Sequence, residues 1–111
     1  MRAIVAESLP GTHAEITFSE AYPAMSETEG NLQLLALYSK ASEDAGLGPV
    51  ERGDPEDRGA GDVQFVAPYI SSLDGLGALG NGAHTVMEDL DLDSIERGAI
   101  RAAILIYRLT R

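Results

Sequence analysis

Cysteine is absent from the 111 residues, and histidine occurs only twice. Without cysteine the chain has neither disulfides nor thiolate metal ligands, so a bound metal must be held by His, Asp or Glu side chains. Long apolar runs are also missing. The run at residues 3–6 is too short for the core of a signal peptide, and the run at 102–107 is far too short to span a membrane. We therefore predict a soluble, cytoplasmic protein with no membrane partner.

Basic residues are few as well. The 8 Lys and Arg side chains stand against 18 Asp and Glu, and the net charge is −10. Nucleic-acid binding depends on Lys and Arg neutralising phosphates, so the charge argues against a nucleic-acid partner. The length suits one domain, and the acidic surface is best explained by solubility.

The first half of the chain predicts two helices and a strand. Residues 1–9 resemble the end of a helix, which Pro10 and Gly11 stop. Residues 13–18 alternate between apolar and polar side chains, as in a strand with one face buried and the other exposed to solvent. Residues 31–45 have the broad apolar face of a helix, and Gly46 provides its C-terminal cap.

The second half contains weaker signals and one strong helix. Residues 49–53 form a possible short strand, and residues 63–67 fit either a strand or an apolar helical turn, because the periodicity does not decide between them. Residues 71–84 are glycine-rich and predict a loop. Asp93, with Glu96 three residues later, predicts the start of a final helix that reaches about Leu109.

Three possible sites in this half and near the N-terminus have simpler explanations. Gly75, Gly77 and Gly80 match a dinucleotide-binding pattern, but helix-breaking residues follow where that site needs a helix. The alternating acids at 89, 91 and 93 lack the glycine and glutamate of a calcium loop and precede a helix N-terminus. His13 lies on the polar face of the predicted strand, as an ordinary surface histidine would.

His84 is the strongest candidate for chemistry. It follows a run of glycines that permits close backbone approach to a ligand, and Glu88 and Asp89 follow it. A histidine on a tight loop, with a carboxylate nearby to orient its second nitrogen, suits a zinc ligand. One histidine does not make a site by itself, so the residues alone leave the zinc interpretation open.

Residues 59–62 (Gly-Ala-Gly-Asp) and 74–88, which contain the run Gly-Asn-Gly-Ala-His-Thr and a late glutamate, appear in an order that resembles a known family. That family is the zinc-dependent exopeptidases and aminoacylases, including glutamate carboxypeptidase and succinyl-diaminopimelate desuccinylase. The resemblance covers the whole chain and maps it to the last third or less of a family member. Val86, Met87 and Gly61 depart from the family pattern.

The resemblance implies a fold and a domain division. Residues 1–18 would be the last helix and strand of an α+β lid domain that also serves dimerisation. Residues 19–111 would be the C-terminal part of the catalytic domain, an α/β half domain with the three-layer α/β/α arrangement of zinc exopeptidases. Such a half domain would leave sheet edges exposed, so we expect a homo-oligomer or association through those edges.

The resemblance also implies a function. It makes His84 a ligand of one of two zinc ions, Glu88 a supporting residue behind it, and Gly59, Gly61 and Asp62 parts of the substrate pocket. The complete enzyme would cleave amide bonds of peptides or N-acyl amino acids. Its other metal ligands and its general base would lie outside this chain, which would therefore hold no catalytic residue and be inactive alone. The alternative is a non-catalytic interaction module that keeps the fold.

Overall fold

The computed structural model of the chain describes residues 1–19, 22–54, 59 and 61–111. Within these ranges the regular structure is helical: α1 covers Arg2–Val5, α2 covers Glu29–Asp44, a 3₁₀ turn covers Asp62–Phe65, and α3 covers Leu92–Leu109. The same ranges contain no sheet, and their strand pairing is limited to one isolated antiparallel bridge between Leu79 and Asp91. No helix in this part of the chain has both the length and the apolar character needed to cross a membrane.

The predicted α/β fold is therefore wrong, both as a three-layer half domain and as a lid fragment that ends in a strand. Residues 13–18 are extended, but they pair with no other strand in the described ranges, and all except Ile16 are exposed. An alternating pattern stabilises a strand only when a neighbour completes the hydrogen-bond ladder and covers the apolar face. Residues 49–53 form no strand either, and residues 63–67 begin with the 3₁₀ turn, so the helical alternative is confirmed there.

Helix α2 has clear signals at both ends. The Thr28 hydroxyl accepts a hydrogen bond from the Asn31 N–H at 3.1 Å, which satisfies one of the free donors of the first turn. At the other end Gly46 has φ +73°, a conformation that favours glycine and closes the helix. The predicted helix at 31–45 is confirmed, with a start at Glu29.

Helix α3 begins earlier than the sequence predicts. Asp91, rather than Asp93, is the N-cap, and its carboxylate accepts a hydrogen bond from the Asp93 N–H at 3.0 Å. Ser94 is buried at 2% exposure, and its hydroxyl accepts from the Leu79 N–H at 2.7 Å. The first turn of α3 is thus tied to the glycine-rich segment that precedes it.

The core lies where α2 packs on α3. Tyr38 and Ala41 of α2 and Leu105 of α3 are buried, and partly buried apolar side chains surround them: Leu34, Val50, Leu73, Leu76 and Ile104. The Arg101 guanidinium also joins the two helices, because its Nε donates to the Ser42 hydroxyl at 2.8 Å. Helices α2 and α3, with a small core between them, form the only packed layer in the described part of the chain.

A second tie joins the C-terminal ends of the two helices. Arg108 Nη2 lies 2.7 Å from Asp44 Oδ2, and Lys40 Nζ lies 2.6 Å from Asp44 Oδ1. The hydrogen bond from Lys40, followed by that from Arg108, holds the pKa of Asp44 below its usual value. The groups are exposed, so this cluster orients the helix ends more than it stabilises them.

The chain exposes much more surface than a compact protein of the same mass. The accessible area is 9001 Å², whereas a compact protein of 11.7 kDa exposes about 5,900 Å². The radius of gyration is 19.7 Å, against about 13 Å for a compact domain of this length. The difference in area, about 3,100 Å², is several times the roughly 800 Å² that one partner buries in a standard interface. Many large apolar side chains of the described residues are more than half exposed, among them Tyr69, Leu92 and Ile106.

Candidate functional site

Residues 79–91 form a narrow loop held by backbone pairing at its base. The Asp91 N–H donates to the Leu79 carbonyl at 2.8 Å, and the Asp89 N–H donates to the Asn81 carbonyl at 3.1 Å. The Asp89 carboxylate accepts from both the backbone and the side-chain N–H groups of Asn81, at 2.8 and 3.1 Å. We call this segment the His84 loop, because these bonds fix the segment that carries that residue.

Gly80 allows the two legs of the His84 loop to approach each other. A Cβ atom at this position would overlap the carbonyl oxygen of Asp89, which is a backbone atom and has no easy way to move. Glycine is therefore required at Gly80 by packing. Of the three glycines in the dinucleotide-like pattern, Gly80 is thus explained by backbone contact within the loop.

The tip of the loop is a series of tight turns. The Thr85 N–H and hydroxyl both donate to the Gly82 carbonyl, at 3.0 and 2.7 Å, and the Met87 N–H donates to the Thr85 hydroxyl at 3.2 Å. Gly82 has φ +63°. These bonds order the backbone on both sides of His84 although every residue from 79 to 92 is exposed.

His84 has φ +66°, and it is the one non-glycine residue in the described ranges with a positive φ. A side chain in the left-handed region costs about 1–2 kcal/mol, although histidine tolerates it better than most residues. Such strain often marks functional positions. The imidazole lies at the exposed tip of an ordered loop, where a group outside the chain can reach it.

Glu88 holds the backbone of His84. Its Oε2 accepts a hydrogen bond from the His84 N–H at 3.4 Å, which is long for this type of bond. We predicted that Glu88 would support the histidine, and this bond gives it a contact with that residue through the main chain. The sequence could not distinguish support of the main chain from support of the ring.

The predicted pocket residues lie on a separate turn. Gly61 comes directly before the 3₁₀ turn, and its N–H is 3.5 Å from the Gln64 side-chain oxygen. A Cβ atom at Gly61 would overlap the Asp74 carboxylate, and its three nearest heavy atoms would all belong to that residue. Asp62 is exposed, and Gly59 has open space where a side chain would be. The turn therefore contacts Asp74, which sequence reasoning did not single out.

Two further polar residues escaped the sequence analysis. Asn31 is buried at 6% exposure and joins the start of α2 to Ser72 and Ser26, two residues far from each other in sequence. Gln64 is equally buried, and its Nε2 has no hydrogen-bond partner in the part of the chain that the structure describes. The sequence does contain a signal for Asn31, because this residue is polar and lies on the apolar side of a predicted helix.

The His, Asp and Glu side chains of the described residues do not form a closed metal site. No group of three or more His, Asp or Glu residues in the described ranges is arranged to hold a metal ion. Catalytic zinc takes three protein ligands and a water. Within the described ranges the exposed imidazole of His84 does not belong to such a group.

Comparison of the chain with protein-family models, with curated proteins and with solved structures gave no match.

Proposed function

We propose that the chain supplies one zinc ligand, His84, to an amide hydrolase of the exopeptidase and aminoacylase type. The other ligands and the general base lie on polypeptide outside residues 1–111. The substrates are peptides or N-acyl amino acids, and the chain alone does not hydrolyse them. When bound, two zinc ions in such an enzyme polarise the amide carbonyl and activate a water. A cytoplasmic location belongs to the same proposal.

The observation that carries this proposal is the conformation of His84. The His84 imidazole lies at the exposed tip of the loop, its backbone has φ +66°, and the ring makes no hydrogen bond or ion pair with another described residue. The surplus of exposed surface supports the proposal independently, because a segment that completes the metal site would also cover apolar side chains.

The alternative is an interaction module without chemistry. It is favoured by the same surplus of exposed surface, which includes many large apolar side chains. The two proposals differ in what they require of His84. An interaction module gains nothing from an imidazole at the loop tip, whereas a zinc ligand is lost with any substitution that removes the ring.

A zinc titration followed by NMR of the two imidazoles distinguishes the proposals. We expect weak, saturable shifts of the His84 ring resonances and much smaller shifts at His13, which lies in the extended segment. His84→Asn should abolish the response, because asparagine accepts a positive φ but removes the imidazole. His13→Asn is the matched control and should leave the His84 response unchanged.

Enzyme assays complete the test. We expect no hydrolysis of N-acyl amino acids or dipeptides by the isolated chain with added zinc. Turnover that His84→Asn abolishes would contradict the proposed division of the site between this chain and another segment. Equal zinc shifts at the two histidines would contradict the role of His84. An H-x-D motif and a Glu-Glu pair encoded upstream of Met1 would supply the ligands that the proposal requires.

A further inference from the structure

Helix α3 is apolar over a wider arc than α2 covers. The part of its surface around Ser94, Gly98 and Leu105 is buried against α2 and the glycine-rich segment, where a Cβ at Gly98 would lie 3.0 Å from the Leu76 carbonyl. Next to this covered arc runs an exposed apolar stripe, which we call the outer stripe: Leu92, Ile95, Ala99, Ala103 and Ile106. Leu92 is 71% exposed and Ile106 61%.

The members of the outer stripe recur every three or four residues, so they lie on one side of the helix. The two alanines occupy the middle, and larger side chains occupy both ends. From Leu92 to Ile106 the stripe is about 21 Å long at 1.5 Å per residue. Small residues at the centre let a second helix approach closely, and large residues at the ends cover it.

Charges along the edge of the stripe have opposite signs at its two ends. Glu96 follows the first turn and has no hydrogen-bond or ion-pair partner in the described part of the chain. Near the other end the Arg111 guanidinium lies 4.9 Å from the centre of the Tyr107 ring. On an ideal helix Glu96 and Tyr107 project from nearly the same side, next to the stripe.

We infer that the outer stripe binds the outer stripe of a second copy of this chain, with the two α3 helices antiparallel. The twofold axis passes near residue 101. Ile95 then faces Ile106 of the second copy, Ala99 faces Ala103, and Glu96 comes within reach of Tyr107 and Arg111. Each contact occurs twice, as a twofold interface requires. The antiparallel arrangement also brings the acidic end of each helix to the basic end of the other, as the helix dipoles favour.

The stripe is small for an interface. A contact between two single helix faces is smaller than the roughly 800 Å² per partner of a standard interface, so we expect a weak, reversible dimer. The net charge of −10 on each copy opposes association at low salt. At 0.15 M ionic strength screening acts over about 8 Å, and the contacts across the stripe then dominate. This inference does not depend on the zinc proposal.

Sedimentation equilibrium of the full chain at 0.15 M salt tests the dimer. Ile106→Glu should remove it, and because Ile106 is an exposed position, circular dichroism should show the helix content unchanged. Glu96→Arg and Arg111→Glu should each weaken association about tenfold, since two like-charge pairs replace two attractive ones. The double variant that exchanges the two charges should restore the affinity.

Glu43→Arg is the matched control, with the same change of charge at an exposed position of α2. It should strengthen association slightly or leave it unchanged, because it lowers the net negative charge. A monomer at all concentrations would overturn the inference, as would a dimer that survives Ile106→Glu. Failure of the charge exchange to restore affinity would overturn the antiparallel register.

Discussion

Replacing Asn31 by alanine should lower the free energy of unfolding by about 1–3 kcal/mol. The Asn31 Oδ1 accepts from the Ser72 N–H at 2.8 Å, and its Nδ2 donates to the Ser26 carbonyl at 3.0 Å. Ser72 is buried at 8% exposure, so its N–H loses the bond without gaining water in exchange. Each unsatisfied buried group costs about 1–3 kcal/mol. The measurement is equilibrium unfolding in urea.

Gln33→Ala is the control for this prediction. Gln33 is also an amide on α2 with one side-chain hydrogen bond, to Glu29 at 3.1 Å, but that bond is exposed. Its loss should cost no more than about 0.5 kcal/mol. Asn31→Asp keeps the acceptor for Ser72 and loses the donor to Ser26, so its stability should fall between the other two. If Asn31→Ala and Gln33→Ala unfold at the same urea concentration, the two hydrogen bonds of the Asn31 side chain do not stabilise the fold.

The physical reason for the size of the effect is the small core. With Tyr38, Ala41 and Leu105 as the buried apolar residues of the described ranges, few other contacts hold the segment around Ser72 against α2. In a larger domain the same hydrogen bonds would be one tie among many. Here Asn31 connects the start of α2 both to the nearby Ser26 and to the distant Ser72, so its loss affects the placement of these segments.

Helices α2 and α3 were predictable because their signals are local. A broad apolar face, a glycine at the C-terminal end of α2 and acids before α3 determine those helices without information from distant residues. The N-cap of α3 was misplaced because local signals do not decide between two neighbouring acids. Asp91 and Asp93 are equally good caps by residue type, and the bond from the Leu79 N–H to the buried Ser94, fifteen positions away, is invisible in the sequence.

The strands were not predictable in the same way. The alternation at residues 13–18 is a necessary condition for a half-buried strand, but the partner strand must come from elsewhere, and the described ranges provide none. In the predicted site, too, local features follow from the sequence and contacts between distant residues do not. The exposed loop around His84 follows from its glycines, whereas the contact between Gly61 and Asp74 depends on distant packing.

The His84 loop is coupled to α3 through its base. Asp91 pairs with Leu79 and also caps the helix, so one residue determines both the end of the loop and the start of α3. Arg97 strengthens this position with an ion pair to the Asp91 carboxylate at 2.5 Å. A change that separates the legs of the loop should therefore disturb the first turn of α3 and the tip that carries the imidazole.

Gly80→Ala should cause such a change. The added methyl group would overlap the Asp89 backbone carbonyl, and forcing an extra group into a packed position costs about 1–3 kcal/mol. We expect the Asp89 and Asp91 amides to exchange with solvent about tenfold faster or more, since a factor of ten corresponds to about 1.4 kcal/mol of local opening. Hydrogen exchange followed by NMR measures this effect at each amide. The zinc response of His84 should weaken in the same variant.

Gly77→Ala, two residues before the His84 loop, provides the comparison. A Cβ at Gly77 would meet no heavy atom within 4 Å, and its φ is not positive. Alanine there should be neutral or should stabilise the chain by about 0.4–1 kcal/mol through the lower entropy of the unfolded state. If both variants change exchange at Asp89 and Asp91 equally, contact between the loop legs does not hold the tip. If Gly80→Ala alone opens the loop and also weakens the zinc response, the order of the backbone around His84 is part of how the chain presents its imidazole.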